Sequence, residues 1–238
     1  MLPLRLVSLP LLVLPAMLAA QPPACPIPAG LPRPEPELPS ADQPKRVVPI
    51  TGYTLSLIWQ PEACHARRGR PGDFGCASPA MRTGFTLHGL WPDGDGPNRW
   101  PQYCRATPLL SPAQLRAGLC ATPSVQLLQH EWAKHGTCMS PDPSRYFATE
   151  TALFRRVRSP DMAALAARRD LTARDFQTAF AAANPGLTAD MLRLNVNARG
   201  WLEEVWICLG RDRRPRACPA GAGGAAPGAA LRIATPEG

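Results

Sequence analysis

The segment His130-Glu131-Trp132-Ala133-Lys134-His135 concentrates two imidazoles, a carboxyl and an ammonium in a short stretch of chain. On a helix that turns about 100° per residue, Glu131 and His135 lie about 40° apart and Lys134 about 60° from Glu131. One helix face therefore presents an acid, a cation and an imidazole together. That set suits phosphoryl transfer without a metal. Cleaving RNA in this way needs a base for the 2′-hydroxyl proton, an acid for the departing 5′-oxygen, and positive charge at the crowded phosphorus. One imidazole cannot work on both sides of phosphorus in the same step, so a second must come from elsewhere in the chain. His88 is the best candidate, because it ends a strand just before Gly89-Leu90-Trp91-Pro92-Asp93. Trp91 suits stacking on a base and Asp93 suits accepting from a base amino group; a plain core aromatic is the competing reading of Trp91.

The same segment looks like the zinc motif HExxH, but its histidines are five residues apart. In an α-helix that spacing rotates them by about 140°, too far to chelate one ion as an i, i+4 pair does. The expectation is no metal and no cofactor.

The elements that must carry these groups are readable from pattern. Tyr53 to Gln60 alternates as a strand, and Gly84 to His88 reads as a second that stops at Gly89 and turns at Pro92. Ser111-Pro112 opens a short helix. Thr122-Pro123 opens a longer one, with Thr as N-cap and Pro at the first helical position, running to His135 and ended by Gly136. A third helix is expected over Tyr146–Val157 and a fourth over Ala173–Ala183, capped by Thr172 and stopped by Asn184-Pro185. Arg193–Asn197 and Leu202–Leu209 form a hairpin around Ala198-Arg199-Gly200. This order gives an α+β fold, a central, mostly antiparallel sheet packed with several helices and linked by disulfides.

Residues 1–20 hold one charge, Arg5, then a Leu/Val/Pro run and small residues at Ala19 and Ala20, the pattern of a signal peptide. Residues 21–49 are crowded with proline and read as a weakly ordered lead-in that Cys25 would tether. The catalytic domain is placed at residues 50–218, and residues 219–238 read as a flexible Gly/Ala-rich tail. The chain has eight cysteines and no CxxC pair, which argues for disulfides in an oxidising compartment. With no glycosylation sequon and an Ala/Pro/Arg-rich composition, the expected location is secreted or periplasmic, in a bacterium. The net charge of +8 favours a polyanionic partner, although an arginine-rich composition alone would give the same sign. The expected partner is single-stranded RNA, met by a monomer with no membrane segment beyond the leader. His65, beside Cys64 in an arginine-rich loop, carries no motif.

Phe85-Thr86-Leu87-His88-Gly89-Leu90-Trp91-Pro92-Asp93 and His130-Glu131-Trp132-Ala133-Lys134-His135-Gly136-Thr137-Cys138 resemble the two active-site segments of the ribonuclease T2 family, acid ribonucleases of little base specificity. The resemblance extends from the Leu55-Ser56-Leu57-Ile58-Trp59 strand to Trp206-Ile207-Cys208. It implies His135 as general base and His88 as general acid in forming a 2′,3′-cyclic phosphate, with roles exchanged if that product is hydrolysed. It further implies that Glu131 and Lys134 stabilise the pentacoordinate transition state, that His130 binds phosphate, and that Trp91 and Asp93 contact a base. The family's further stacking aromatic has no clear match, since Arg99, Trp100 and Tyr103 all lie nearby. The resemblance implies Cys104–Cys138 and Cys208–Cys218 bridges. Cys25, Cys64, Cys76 and Cys120 are left with three possible arrangements.

Two rivals come from other classes. A catalytically inactive, secreted RNA- or protein-binding member would be marked by loss of a histidine, and both are present. A secreted metallohydrolase is disfavoured by the histidine spacing.

Overall fold

In the computed structural model, residues 25–66, 74–79, 81–96 and 100–236 are described; the leader reading of residues 1–20 lies outside them. Four strands, β1 (Gly52–Trp59), β2 (Phe85–Asp93), β3 (Leu192–Val196) and β4 (Leu202–Gly210), form one antiparallel sheet in the order β2-β1-β4-β3. The helices are α1 (Gln60–Ala66), α2 (Phe74–Ala77), α3 (Pro112–Gly118), α4 (Val125–Glu131), α5 (Thr137–Met139), α6 (Pro143–Phe154), α7 (Met162–Ala166) and α8 (Ala173–Ala183). A π-turn over Trp132–Gly136 joins α4 to α5, and a short 3-10 turn over Ala189–Met191 leads into β3. The α+β, disulfide-linked class expected from the sequence is the one observed.

Alternation divides the sheet into two faces with different work. Leu55, Leu57 and Trp59 of β1, Leu87 and Leu90 of β2, Leu192 and Leu194 of β3, and Val205, Ile207 and Leu209 of β4 are all buried in the core, which also takes in Phe176 and Phe180 of α8. Burial of each such side chain is worth about 1.5–3 kcal/mol, so this face holds the sheet in place. The opposite face presents Thr54, Ser56, Trp91, Asp93, Glu204 and Trp206, brought into line by the register Thr54↔Trp91, Ser56↔Trp206 and Gly52↔Asp93.

Several boundaries differ from the sequence reading, each for a physical reason. β2 does not stop at Gly89; it runs to Asp93, because a β-bulge absorbs one extra residue. Ser56 pairs with Gly89 and Leu57 with Leu87, so His88 is the residue without a partner on β1. Pro92 is tolerated because β2 is an edge strand, where a missing N–H costs nothing. α4 is capped by Ser124, whose side chain accepts from Leu127 N, and not by Thr122. The Thr122 hydroxyl is engaged elsewhere, donating to Leu87 O at 2.9 Å on the open edge of β2. α6 starts three residues before Tyr146, with Asp142 as cap and a proline in its first turn. α8 and its Thr172/Asp175 capping box match the sequence reading. His65 falls in α1, where a loop was expected.

The two ends of the described chain are held down more than their composition suggests. The bridges are Cys25–Cys120, Cys64–Cys76, Cys104–Cys138 and Cys208–Cys218, which selects one of the three arrangements left open for the first four cysteines. The expectation of a flexible tail after Pro219 does not hold: Leu231 and Ile233 are only 4% and 5% exposed. Leu231 N donates to Leu171 O, Leu202 N to Arg232 O, and the Trp59 indole to Ala234 O. Two aliphatic side chains among many small residues were enough to anchor it.

Candidate active site

The site forms where β2 passes the end of α4. Gly89 makes this approach possible, since a Cβ built there would stand 1.9 Å from Glu131 Oε2. With that space open, the Glu131 carboxyl lies under His88 and Trp91, 1% exposed. Its Oε2 accepts from the Trp91 indole N–H at 2.8 Å, and its Oε1 stands 3.4 Å from His88 Nε2. The bulge at His88 is what turns this imidazole out of the regular strand alternation, a common use of bulges beside active sites.

The second imidazole comes from the π-turn. α4 is regular to Glu131, after which the backbone widens over Trp132–Gly136; Thr137 N reaches back to Trp132 O. Gly136 fits there because its missing Cβ leaves room for Trp132 Cε3, which would otherwise be 2.4 Å away. The widened turn changes the angular separation assumed for an α-helix. His130 and His135 do not face apart: their ring centroids are 6.5 Å apart, and donor atoms of His130, Glu131 and His135 all lie within 4.8 Å of one another. The spacing argument against a shared ion therefore fails, because it assumed a pitch the chain does not have; these three side chains could reach a single cation. A π-turn inside a helix is itself often a mark of a functional site.

Both imidazoles abut one indole. The Trp91 ring centroid is 5.0 Å from that of His88, edge-on, and 5.6 Å from that of His135, stacked at 29°. Trp206 meets the same ring at 5.7 Å. Trp91 thus spaces the two histidines and fixes Glu131, in addition to lining the neighbouring cavity. That cavity, of about 790 Å³, is bordered by Thr54, Asp93, Trp100, Lys134, His135 and Arg216, among others. Asp93 accepts from the Thr54 hydroxyl at 3.0 Å. Of the three candidates for a further aromatic, Trp100 lines the cavity, under the guanidinium of Arg46 at 5.4 Å; Tyr103 is buried and donates its backbone N–H to Lys134 O, and Arg99 lies outside the described residues.

The environments of the two imidazoles push their proton affinities in opposite directions. His135, buried at 5% exposure, is held well below its ordinary value by burial, with the charges of Lys134, His130 and His88 adding to the effect. Its Nδ1 has no hydrogen-bond partner among the described residues, as is true of Glu131 Oε1. His88 goes the other way. Burial lowers it, but the hydrogen bond it gives to Glu204 and the charges of Glu131 and Glu204 outweigh that and leave it raised. Burial raises the Glu131 carboxyl against the pull of His88, His130 and Lys134, and burial lowers the Lys134 ammonium.

Residues 51–218 match the Ribonuclease T2 family. The chain belongs to that family. A ribonuclease of Aeromonas hydrophila is 31% identical over 167 residues, covering 67% of this chain and 72% of that one. Ribonuclease I of Escherichia coli is 26% identical over 211 residues, 71% and 79% of the two chains. A probable ribonuclease of Haemophilus influenzae is 34% identical over 125 residues, which span 48% of this chain and 45% of that protein. Among solved structures, the S-like ribonuclease trichomaglin superposes with a TM-score of 0.62 at 22% identity, over 75% of this chain and 96% of its own. RNase NT, solved with 5′-AMP, gives 0.59 at 18% identity, over 79% and 100%. These structures establish the ribonuclease T2 fold for the chain.

The structure thus brings His88, Trp91, Glu131, Lys134 and His135 to one place, with His130 at its rim and Asp93 in the adjoining cavity. Two carboxylates were missed by sequence reasoning. Glu204 of β4 takes the Nδ1–H of His88 at 2.6 Å, and Glu37 of the lead-in meets His130 Nδ1 at 3.2 Å while accepting from Gln126 Nε2 at 2.7 Å. Glu204 shares a strand face with Trp206, which is visible in the alternation of β4; nothing in the sequence ties either glutamate to a histidine so distant in the chain.

Proposed function

We propose that this ribonuclease cleaves single-stranded RNA by transphosphorylation, without a metal ion and with little base specificity. His135 takes the proton of the 2′-hydroxyl, O2′ bonds to phosphorus, the P–O5′ bond breaks, and His88 gives its proton to the departing O5′. The product carries a 2′,3′-cyclic phosphate; if water then opens it, His88 acts as base and His135 as acid. Glu131 lies near both imidazoles, and the charge of Lys134 acts on both. Lys134 offsets charge on the phosphoryl oxygens, and Glu131 helps to stabilise the same pentacoordinate transition state. His130 receives phosphate, and Trp91, Asp93 and Trp100 border the base cavity.

One observation carries this reading: two imidazoles against one indole, the first raised and the second lowered in proton affinity. An acid and a base needed at the same pH require that separation. The assignment also follows its direction, because His88 keeps its proton where His135 has none. Metal independence is supported by the full set of proton carriers and a cation on the chain itself. Export is supported by the four disulfides, which persist in oxidising compartments. One chain supplies every group, so a monomer suffices, and no described helix is long and apolar enough to cross a membrane.

The test is an RNA digest in EDTA by the wild type, His88→Ala and His135→Ala, with ends resolved chemically. Cyclic-phosphate ends from the wild type and their loss from both variants are expected. Loss of wild-type activity on chelation, restored by one divalent ion, contradicts the proposal and points to the His130, Glu131 and His135 donors.

A further inference from the structure

His88 has a fixed partner on the side away from Glu131. Its Nδ1 is 2.6 Å from Glu204 Oε1, and its Nε2 faces Glu131 Oε1. The Glu204 carboxylate is itself immobilised: Oε2 accepts from the Trp206 indole N–H at 2.6 Å and from the Ser56 hydroxyl at 3.3 Å. One oxygen is thus tied to the sheet by two donors and the other is left for the imidazole. Glu204 is only 13% exposed and stays ionised. Burial, which would raise it, is outweighed by His88, Trp206 and Ser56, so its carboxyl is lowered.

The contact spans three strands. Glu204 pairs with Ile58 on β1, and His88 stands at the bulge of β2, on the other side of β1. Ser56, fully buried between them, is small enough to let the carboxylate cross and supplies one of its donors. The contact thus depends on a bulge, a small residue at the central strand, and an indole N–H on β4. The charged groups facing the pair are Glu131 and Lys134 on the His88 side, and Glu203 beside Glu204.

An ionised carboxylate only accepts, so the bonded Nδ1 must carry its hydrogen. Every other proton that His88 gains or loses then moves through Nε2, the nitrogen that faces Glu131 and the reacting groups. We propose that Glu204 is a positioning residue of this ribonuclease, holding His88 as the Nδ1–H tautomer with Nε2 directed at the scissile phosphodiester. The inference rests on His88 being the proton donor of the proposed reaction. In the cyclising step, Glu204 holds the imidazolium so that its Nε2 proton reaches O5′. Afterwards the neutral ring keeps its hydrogen on Nδ1 and exposes the Nε2 lone pair, the form needed to take a proton from water when the cyclic phosphate opens. Without Glu204 the neutral ring is free to place its hydrogen on Nε2, which blocks the second step more than the first.

The experiment compares wild type with Glu204→Gln, Glu204→Asp, Glu204→Ala and His88→Ala on a dinucleotide and on its cyclic product. Circular dichroism and a denaturant melt confirm that each variant is folded, and Glu204→Gln preserves shape if Glu204→Ala does not fold. The proposal predicts that kcat of Glu204→Gln falls about 10- to 100-fold, less than the loss from removing the acid itself, with KM unchanged. The alkaline limb of its pH profile moves to lower pH, opening of the cyclic phosphate suffers more than cyclisation, and Glu204→Asp recovers part of the rate. A folded Glu204→Gln with kcat within twofold of wild type and an unmoved alkaline limb overturns it, even if an NMR titration shows that the imidazole has felt the change. Full activity of His88→Ala is a different failure, that of the acid assignment itself, and it takes the positioning role down with it.

Discussion

The two sides of the active site are built on opposite principles. His88 is anchored in a sheet, partly open to solvent, and surrounded by carboxylates on β4 and α4. His135 is carried by a π-turn, almost fully buried at the wall of the cavity, with the neighbouring Lys134 as its leading charge. The first environment favours the charged ring and the second the neutral one. This teaches that the acid and the base of the proposed reaction need not be distinguished by residue type, because a strand edge lined with glutamate and a buried turn beside lysine suit the same side chain to opposite jobs.

The comparison is most severely tested by deleting each ring. His88→Ala and His135→Ala should each lower kcat by about 10²- to 10⁴-fold, with opposite signatures in the residual pH profile. As pH falls through the lowered value of His135, the base becomes protonated and activity is lost on the acid side. As pH rises through the raised value of His88, the acid loses its proton and activity is lost on the alkaline side. His135→Ala should therefore erase the acid limb and His88→Ala the alkaline one. Loss of the same limb from both would break the comparison.

A smaller effect is expected where the two sides meet. Gly89→Ala places a Cβ on top of Glu131 Oε2, so the carboxyl must shift. A drop of about tenfold in kcat is expected, with about 1–3 kcal/mol of stability lost through overpacking, read by denaturant unfolding. Wild-type rate and stability in that variant would show that Glu131 is not confined as described.

Lys134→Met sharpens the comparison from the cationic side. Removing a positive neighbour favours protonation of both rings, but Lys134 is the leading charge on His135 and the last of the influences on His88. The acid limb should move to higher pH by more than the alkaline limb. Equal movement of the two would deny that the cations belong to the His135 side.

The smallest effect is expected at the rim, where Glu37 of the lead-in occupies His130 Nδ1. The position is partly exposed, and such pairs are worth about 0.2–1 kcal/mol. Glu37→Gln should lower KM by no more than about fivefold at unchanged kcat, since the substrate no longer competes with a built-in carboxylate for His130.

Much of this was legible in the chain. Both histidine segments announce their chemistry by residue type, and strand alternation separated the core residues Leu55, Leu57 and Trp59 of β1 from Thr54 and Ser56 on the other face. What the sequence could not carry was geometry that depends on departures from ideal periods. The bulge at His88 and the π-turn at Trp132 each break the repeat by which side chains are assigned to faces. The first was read as the end of a strand and the second as an ordinary helix, which also led to the wrong angle between His130 and His135. The contacts of Glu204 and Glu37 were hidden for another reason: each joins segments far apart in the chain, and a single sequence holds no record of such pairings. The C-terminal segment was misread because its small residues outnumber Leu231 and Ile233, the two that dock it.

The central claim is the order of two proton affinities, and the most direct measurement is an NMR titration of the imidazole C–H resonances in the free wild-type protein, with His88 and His135 assigned by single substitution. The account predicts that His88 titrates above the ordinary value of 6.5 and His135 well below it. The reverse order, or two coincident titrations, would contradict it.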